Sequence, residues 1–188
     1  MAEAIIFVLI VGTLIVILLY AFNITWIDPL WIVGFLFLLI APGLYAAFTS
    51  GPFVPSARRR HKTMLKLAEL TDSDTVYDLG CGDGRLVFSA SKLAGKAFGY
   101  DLSIPLVLYG KLLSFFYPKA QIHFGNIWKQ NYDDATVIFC YLLPGAMKQF
   151  HKEVWPKLKK DTRVVSNAFE IHNLKPLKKE DKVYLYQV

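Results

Sequence analysis

The chain has 188 residues, 54% of them hydrophobic, a formal net charge of +6 and a mean hydropathy of +0.36. That size allows about one domain, and so apolar a composition excludes an intrinsically disordered chain and sits badly with a simple soluble one. The excess is local: Glu3 and Asp28 are the only charged side chains before Ser50, whereas all 21 Lys and Arg lie from Arg58 onward with 13 of the 15 acids, giving that part +8. Two physically different segments are joined in one chain. Cys81 and Cys140 belong to no CxxC or Cys/His cluster, which points away from a zinc or disulfide framework and toward reduced, structural thiols.

Residues 4–22 are 19 consecutive uncharged positions, nearly all Ile, Leu, Val, Phe or Ala. A helix of that length, at about 1.5 Å per residue, approaches the thickness of a bilayer's hydrocarbon core. An acidic start, a long run and no small-residue cleavage site argue against a cleaved signal peptide. After a short polar turn at residues 23–29, a second uncharged stretch covers residues 30–48, so residues 1–50 read as a transmembrane helical hairpin. Pro42-Gly43 is expected to kink the second helix or end it early. Tyr20, Trp26, Trp31 and Tyr45 fall near the ends, where amphipathic rings favour the interface. Arg58-Arg59-Arg60-His61-Lys62 then marks the cytoplasmic side, and its charges are expected to meet anionic lipid headgroups. This basic stretch sits in a linker of residues 51–74 that also holds the first domain helix, from Arg58 to Leu70. The expected location is the cytoplasmic membrane of a prokaryote, with a mitochondrial membrane as the alternative.

From residue 75 to 188 the pattern alternates. Strand-like runs appear at Thr75–Leu79, Ala97–Asp101, Gln121–Phe124, Thr136–Tyr141, Thr162–Ser166 and Lys182–Val188, with helical stretches at Gly84–Leu93, Ile104–Phe116 and Pro144–Leu158 between the earlier ones. Such alternation predicts an α/β domain, a Rossmann-like and mostly parallel sheet with helices on both faces. In such a sheet ligands bind at the carboxyl ends of the strands, near the reversal of strand order.

The first strand runs straight into Gly80-Cys81-Gly82-Asp83-Gly84. Alternate glycines permit a tight turn and let a ligand approach the backbone. The G-x-G-x-G spacing differs from the G-x-G-x-x-G of dinucleotide sites, and no Lys-Ser/Thr pair follows as a phosphate loop requires. Asp78, just before the turn, is an awkward neighbour for a pyrophosphate and a good one for a ligand carrying an ammonium group, as S-adenosylmethionine does. Asp101, at the end of the second strand, can accept from both ribose hydroxyls or can cap the next helix. Asn126 can reach an adenine edge or simply form a turn. His61, His123, His151 and His172 show no metal-ligand spacing, and no metal is expected. His123, on the third strand, is the histidine nearest the expected cofactor.

The string Asp78-Leu79-Gly80-Cys81-Gly82-Asp83-Gly84 resembles the first motif of class I S-adenosylmethionine-dependent methyltransferases. More closely, residues 52–188 resemble the small membrane-anchored protein-lysine methyltransferases related to the mitochondrial enzymes that modify the c-ring protein of ATP synthase and the adenine nucleotide translocase. The likeness runs through Pro52-Phe53-Val54-Pro55-Ser56, the glycine motif, Ile127-Trp128-Lys129, Tyr141-Leu142-Leu143-Pro144 and Arg163-Val164-Val165-Ser166. The resemblance implies that Asp78, Gly80, Cys81, Gly82, Gly84, Asp101 and Asn126 bind the cofactor, and that Phe53, Tyr141 and Pro144 border the methyl-transfer site. It also implies a lysine of a membrane protein as substrate. No Asn-Pro-Pro-Tyr motif follows the fourth strand, which argues against nucleic-acid amino-methylating enzymes, and no nucleic-acid partner is expected. A methyltransferase for a lipid, quinone or other small membrane-soluble molecule is the competing enzyme reading. A non-catalytic S-adenosylmethionine-binding sensor or assembly factor is the competing reading of another class.

Overall fold

The computed structural model describes residues 29–49 and 58–188, together with Thr13, Leu14, Ile17, Tyr20 and Ala21; on the first helix side chains are described from residue 30 to 45. That helix, α1 (Pro29–Thr49), has 21 residues and no charged side chain. Pro42 lies inside it, so the expected kink or early end does not occur. A proline removes one helical hydrogen bond, but in an uncharged tract continuing the helix is what satisfies the following N–H groups. Among the described residues no helix is long and apolar enough to cross a membrane, so the hairpin is not seen as such. The expected span at 4–22 falls largely outside the described residues, as does Phe53.

Residues 58–188 form a seven-stranded sheet. Helix α2 (Arg58–Ala68) leads to β1 (Thr75–Leu79), α3 (Arg85–Ala90), β2 (Lys96–Asp101), α4 (Ile104–Ser114), β3 (Ala120–Phe124), β4 (Val137–Cys140), α5 (Pro144–Glu153), β5 (Arg163–Asn167), β6 (Lys178–Glu180) and β7 (Val183–Gln187). The strand order is β3-β2-β1-β4-β5-β7-β6, parallel except for β7, which runs antiparallel to both β5 and β6. Order reverses between β1 and β4, whose register pairs Leu79 with Cys140. The expected α/β architecture is therefore present. β6 is the strand the sequence pattern did not disclose: Lys178-Lys179-Glu180 is a short charged edge with no apolar alternation, held by pairing with β7.

Two apolar clusters cover the two faces. On the first, Met64 and Leu67 of α2, Leu86, Val87 and Phe88 of α3 and Val107 of α4 pack on Val76, Ala97, Ile122 and Phe139. On the second, Met147 and Phe150 of α5 pack on Tyr77, Leu79, Ile138, Val164 and Tyr186. Between β3 and β4 a 3-10 turn, Ile127–Lys129, stands where a crossover helix would be common. Tyr77, Phe98, Tyr100 and His123 fill that side as a row of stacked rings, with centroids 5.1 to 6.4 Å apart between neighbours. α2 packs into the first cluster, so the domain begins physically at α2 and not at β1.

Candidate active site

β1 carries a buried acid just before its first residue and another near its last, and they differ in company. Asp74, 5% exposed, accepts from the Thr71 N–H at 2.7 Å and the Thr136 hydroxyl at 2.6 Å and is reached by Arg163. Burial pushes its pKa up, but the bonds from Thr136, Arg163 and Thr71 outweigh that and hold the carboxyl below its ordinary range. Asp78, 7% exposed, faces two more carboxylates. Burial first, then the charges of Asp101 and Asp83, push it up to about 8. Asp74 is a satisfied structural acid, whereas Asp78 is an anionic site lacking a cation.

The glycine turn is built around that acid. Gly80, Gly82 and Gly84 have φ of 79°, 56° and 79°, the left-handed region that favours glycine. Gly80 and Cys81 donate to the Tyr100 carbonyl at 2.9 and 3.1 Å, which ties the turn to the end of β2. A Cβ on Gly84 would lie 2.8 Å from Ile122 and 3.0 Å from Phe88, whereas one on Gly80 would meet only Leu142, at 3.9 Å. Gly84 is therefore glycine for packing, and Gly80 leaves room for a ligand. Cys81 turns its thiol into the core against Gly99; burial, then Asp78 and Asp101, push that thiol's pKa up. Its contribution to a ligand site is through the backbone. Both cysteines are free and buried.

Asp101 ends β2 and accepts from the Gly82 N–H at 2.8 Å and the Ser103 N–H at 2.7 Å. It does both things its position suggested: it caps the turn into α4, and each oxygen keeps a lone pair for a hydroxyl. Burial raises its pKa and the bonds from Ser103 and Gly82 oppose the rise. Asn126 is committed to the turn. Its side-chain oxygen accepts from the Trp128 N–H at 2.9 Å, capping the 3-10 turn, and its carbonyl accepts from Gln130.

Tyr141 follows β4 and is half-buried, its ring stacked on Phe169 at 6.4 Å. Pro144 is exposed at the start of α5. The Leu79–Cys140 and Cys140–Ser166 pairings place Gly80, Tyr141 and Asn167 at the carboxyl ends of three neighbouring strands. Phe169 and Asn167 were missed in the sequence, although the strand-end rule applied to β5 singles out both. Arg60 and His61, on the first turn of α2, were missed too. Arg60 donates to Asn167 at 3.3 Å, and His61 buries an unpartnered Nε2 near the Asp83–Arg85 ion pair. Burial, then Arg85, lower the His61 pKa, so the ring is neutral near pH 7. His123 instead stacks on Tyr100 in the aromatic row. Arg59 pairs with Asp181 at 2.7 Å, so this cation of the basic cluster has a partner inside the domain as well as its expected lipid.

These residues fit S-adenosylmethionine. Its ammonium and sulfonium supply the positive charge that Asp78, with Asp83 and Asp101 nearby, leaves unbalanced, and Asp101 retains acceptors for a ribose. The model of the ANTKMT methyltransferase domain matches residues 78–178, from Asp78 to the first residue of β6. The chain belongs to that family. It is an S-adenosylmethionine-dependent methyltransferase. A protein-lysine N-methyltransferase of Saccharolobus islandicus is 34% identical over 150 residues, covering 73% of this chain and 93% of the relative. The human lysine N-methyltransferase that acts on the c-ring protein of ATP synthase is 27% identical over 128 residues, 66% of this chain and 54% of that longer protein. Among solved structures, an RNA methyltransferase from Salinibacter ruber in complex with S-adenosyl-L-homocysteine superposes with a TM-score of 0.68 at 27% identity, covering 71% of this chain and 93% of that one.

Proposed function

We propose that this enzyme of the ANTKMT methyltransferase domain family methylates a lysine side chain of a membrane protein, from the cytoplasmic face of a membrane to which its apolar N-terminal segment anchors it. The observation that carries the lysine reading is the match to the Saccharolobus protein-lysine methyltransferase, which extends over 93% of that relative. The anchoring is supported by the 19 uncharged residues at 4–22 and by α1, which has no charged side chain and exposes Trp31, Phe35, Phe37 and Leu38. Exposed rings and Leu side chains along an uncharged helix are stable in lipid and costly in water.

When bound, S-adenosylmethionine supplies a methyl on a sulfonium, and transfer to an amine leaves the neutral thioether of S-adenosylhomocysteine. The chain's part is alignment and charge. Asp78 and Asp101 hold the donor at the end of β1 and β2, which brings its methyl toward the space beside Tyr141 and Phe169. A lysine ammonium must lose a proton before its lone pair can attack, and entry between two aromatic rings lowers its pKa by desolvation. Holding amine and methyl in line converts an encounter into a unimolecular step.

The test uses membranes from cells lacking this protein, incubated with the purified full chain and methyl-labelled cofactor, followed by mass spectrometry. Methyl-lysine in a membrane protein is the expected product. Label confined to the lipid extract would overturn the protein substrate, and label in RNA would favour the activity named for the Salinibacter relative. Folded, cofactor-bound protein that labels nothing would point to a sensor.

A further inference from the structure

Helix α4 has two sides of unusual character. Val107 and Gly110 are buried, the missing side chain of Gly110 letting the helix lie within 3.1 Å of Ile122 in β3. The other side exposes Leu108, Tyr109 and Leu112, and the chain continues into Phe115 and Phe116, 85% and 77% exposed. These positions recur at three- and four-residue spacing, so they form one stripe. Five large apolar side chains facing out within nine residues mark an interaction surface.

What covers this stripe follows from its neighbours. α1 packs on the start of α4, its Gly43 lying 3.6 Å from Ser103, so the uncharged exposed side of α1 and the apolar side of α4 are parts of one surface. The flanking charges all have one sign: from residue 102 to 132 there is no Asp or Glu, while Lys111, Lys119 and Lys129 are present. Lys92 sits over the Tyr117 ring at 5.4 Å, and Lys119 also pairs with Asp72 at 2.8 Å. Aromatic rings and leucines bordered by lysines are the residue set that settles into the headgroup layer of an anionic bilayer.

We infer that the outer side of α4, from Leu108 to Phe116, is a membrane-docking surface that rests in the headgroup region of an anionic bilayer and holds the catalytic domain in a fixed orientation. The inference rests on the anchored reading above and adds a second contact to it. Asp101 and Ser103 form the turn into α4, so docking this helix fixes the height of the cofactor end of the sheet above the lipid.

The experiment places an environment-sensitive fluorophore at position 116 through Phe116→Cys in the full chain, since Cys81 and Cys140 are buried and spared by thiol reagents. A second protein carries the label at position 148 through Lys148→Cys, on the opposite face. Each is reconstituted into phosphatidylcholine vesicles containing a quarter phosphatidylglycerol, with and without lipid bearing a nitroxide near the headgroup. Docking predicts at least a twofold loss of fluorescence at position 116 and little change at 148. If the protein floats with the vesicles and position 116 is not quenched, the docking surface is refuted while the anchor stands. Failure to float refutes both. Self-quenching at position 116 that disappears on dilution with unlabelled chain identifies a second copy as the occupant and also overturns the inference. A label at position 115, through Phe115→Cys, guards against a local effect of the first substitution.

Discussion

Helices α4 and α5 have nearly the same length, 11 and 10 residues, and each lies on one face of the sheet. α5 sorts its residues as a surface helix in water must: Ala146, Met147 and Phe150 go inward, and Lys148 and Lys152 outward. α4 does not sort them, burying Val107 and Gly110 while showing Leu108, Tyr109 and Leu112 to the outside. Core packing therefore accounts for α5 completely and for α4 only in part. The outer half of α4 is selected by something other than the sheet. The titrating groups are divided in the same way, since Asp78 and Asp101 belong to the side on which α4 begins.

The largest expected effect lies on α5. Phe150→Ala removes a ring that is 0% exposed from the second cluster and should cost roughly 3–5 kcal/mol of stability, measured by denaturant unfolding. A loss under about 1 kcal/mol would mean that α5 is not a packed core helix. Next comes the turn into α4. Asp101→Ala removes the acceptor of the Gly82 and Ser103 N–H groups and the partner of the ribose, at about 1.5–3 kcal/mol for a bond to a charged group. Cofactor affinity by calorimetry should therefore fall roughly tenfold to a hundredfold, and unchanged binding would remove Asp101 from the site.

A pH series comes third. Asp78 keeps its proton in the cofactor-free fold up to about pH 8, whereas the unfolded chain releases it near its ordinary value of about 4. Between those limits the folded state binds more protons, so this group's contribution to stability is present at low pH and is lost as pH rises toward 8. The slope is at most about 1.4 kcal/mol per unit. Asp78→Asn should flatten that fall, seen as melting temperatures of the two proteins that diverge from pH 5 to 8 in favour of the variant. Because a cationic ligand favours the ionised carboxylate, wild-type cofactor affinity should rise over the same range. Parallel melting curves would show that Asp78 already has a partner. The smallest effect is on α4: Phe115→Ser with Phe116→Ser should change stability by less than about 0.5 kcal/mol, because neither ring is packed in the core. A loss above about 2 kcal/mol would place them inside the domain and erase the contrast with α5.

Much of the fold was legible because its signals are local. Thr75–Leu79 matches β1 residue for residue, and Lys96–Asp101 and Ile104–Ser114 differ from the expected elements by one or two residues at an end. A β-branched run between turn residues, a Pro near a helix start and alternate glycines state their conformations within a few positions. The 3-10 turn after β3 and the charged edge β6 were not legible, since neither has apolar periodicity and both depend on what they pair with.

At the site the same division holds. The sequence by itself determined the cofactor turn, because G-x-G-x-G between a strand and a helix, with Asp78 before it and Asp101 one strand later, is a local pattern whose φ angles only glycine meets without strain. Only the tertiary structure decided the rest. It showed that Asp74 is neutralised by Thr136 and Arg163 while Asp78 is not, brought Phe169 onto Tyr141 and His61 onto the Asp83–Arg85 pair, and left the rings of α4 outside. Burial and partnership are sums over residues far apart in the chain, and a sequence pattern reports only neighbours.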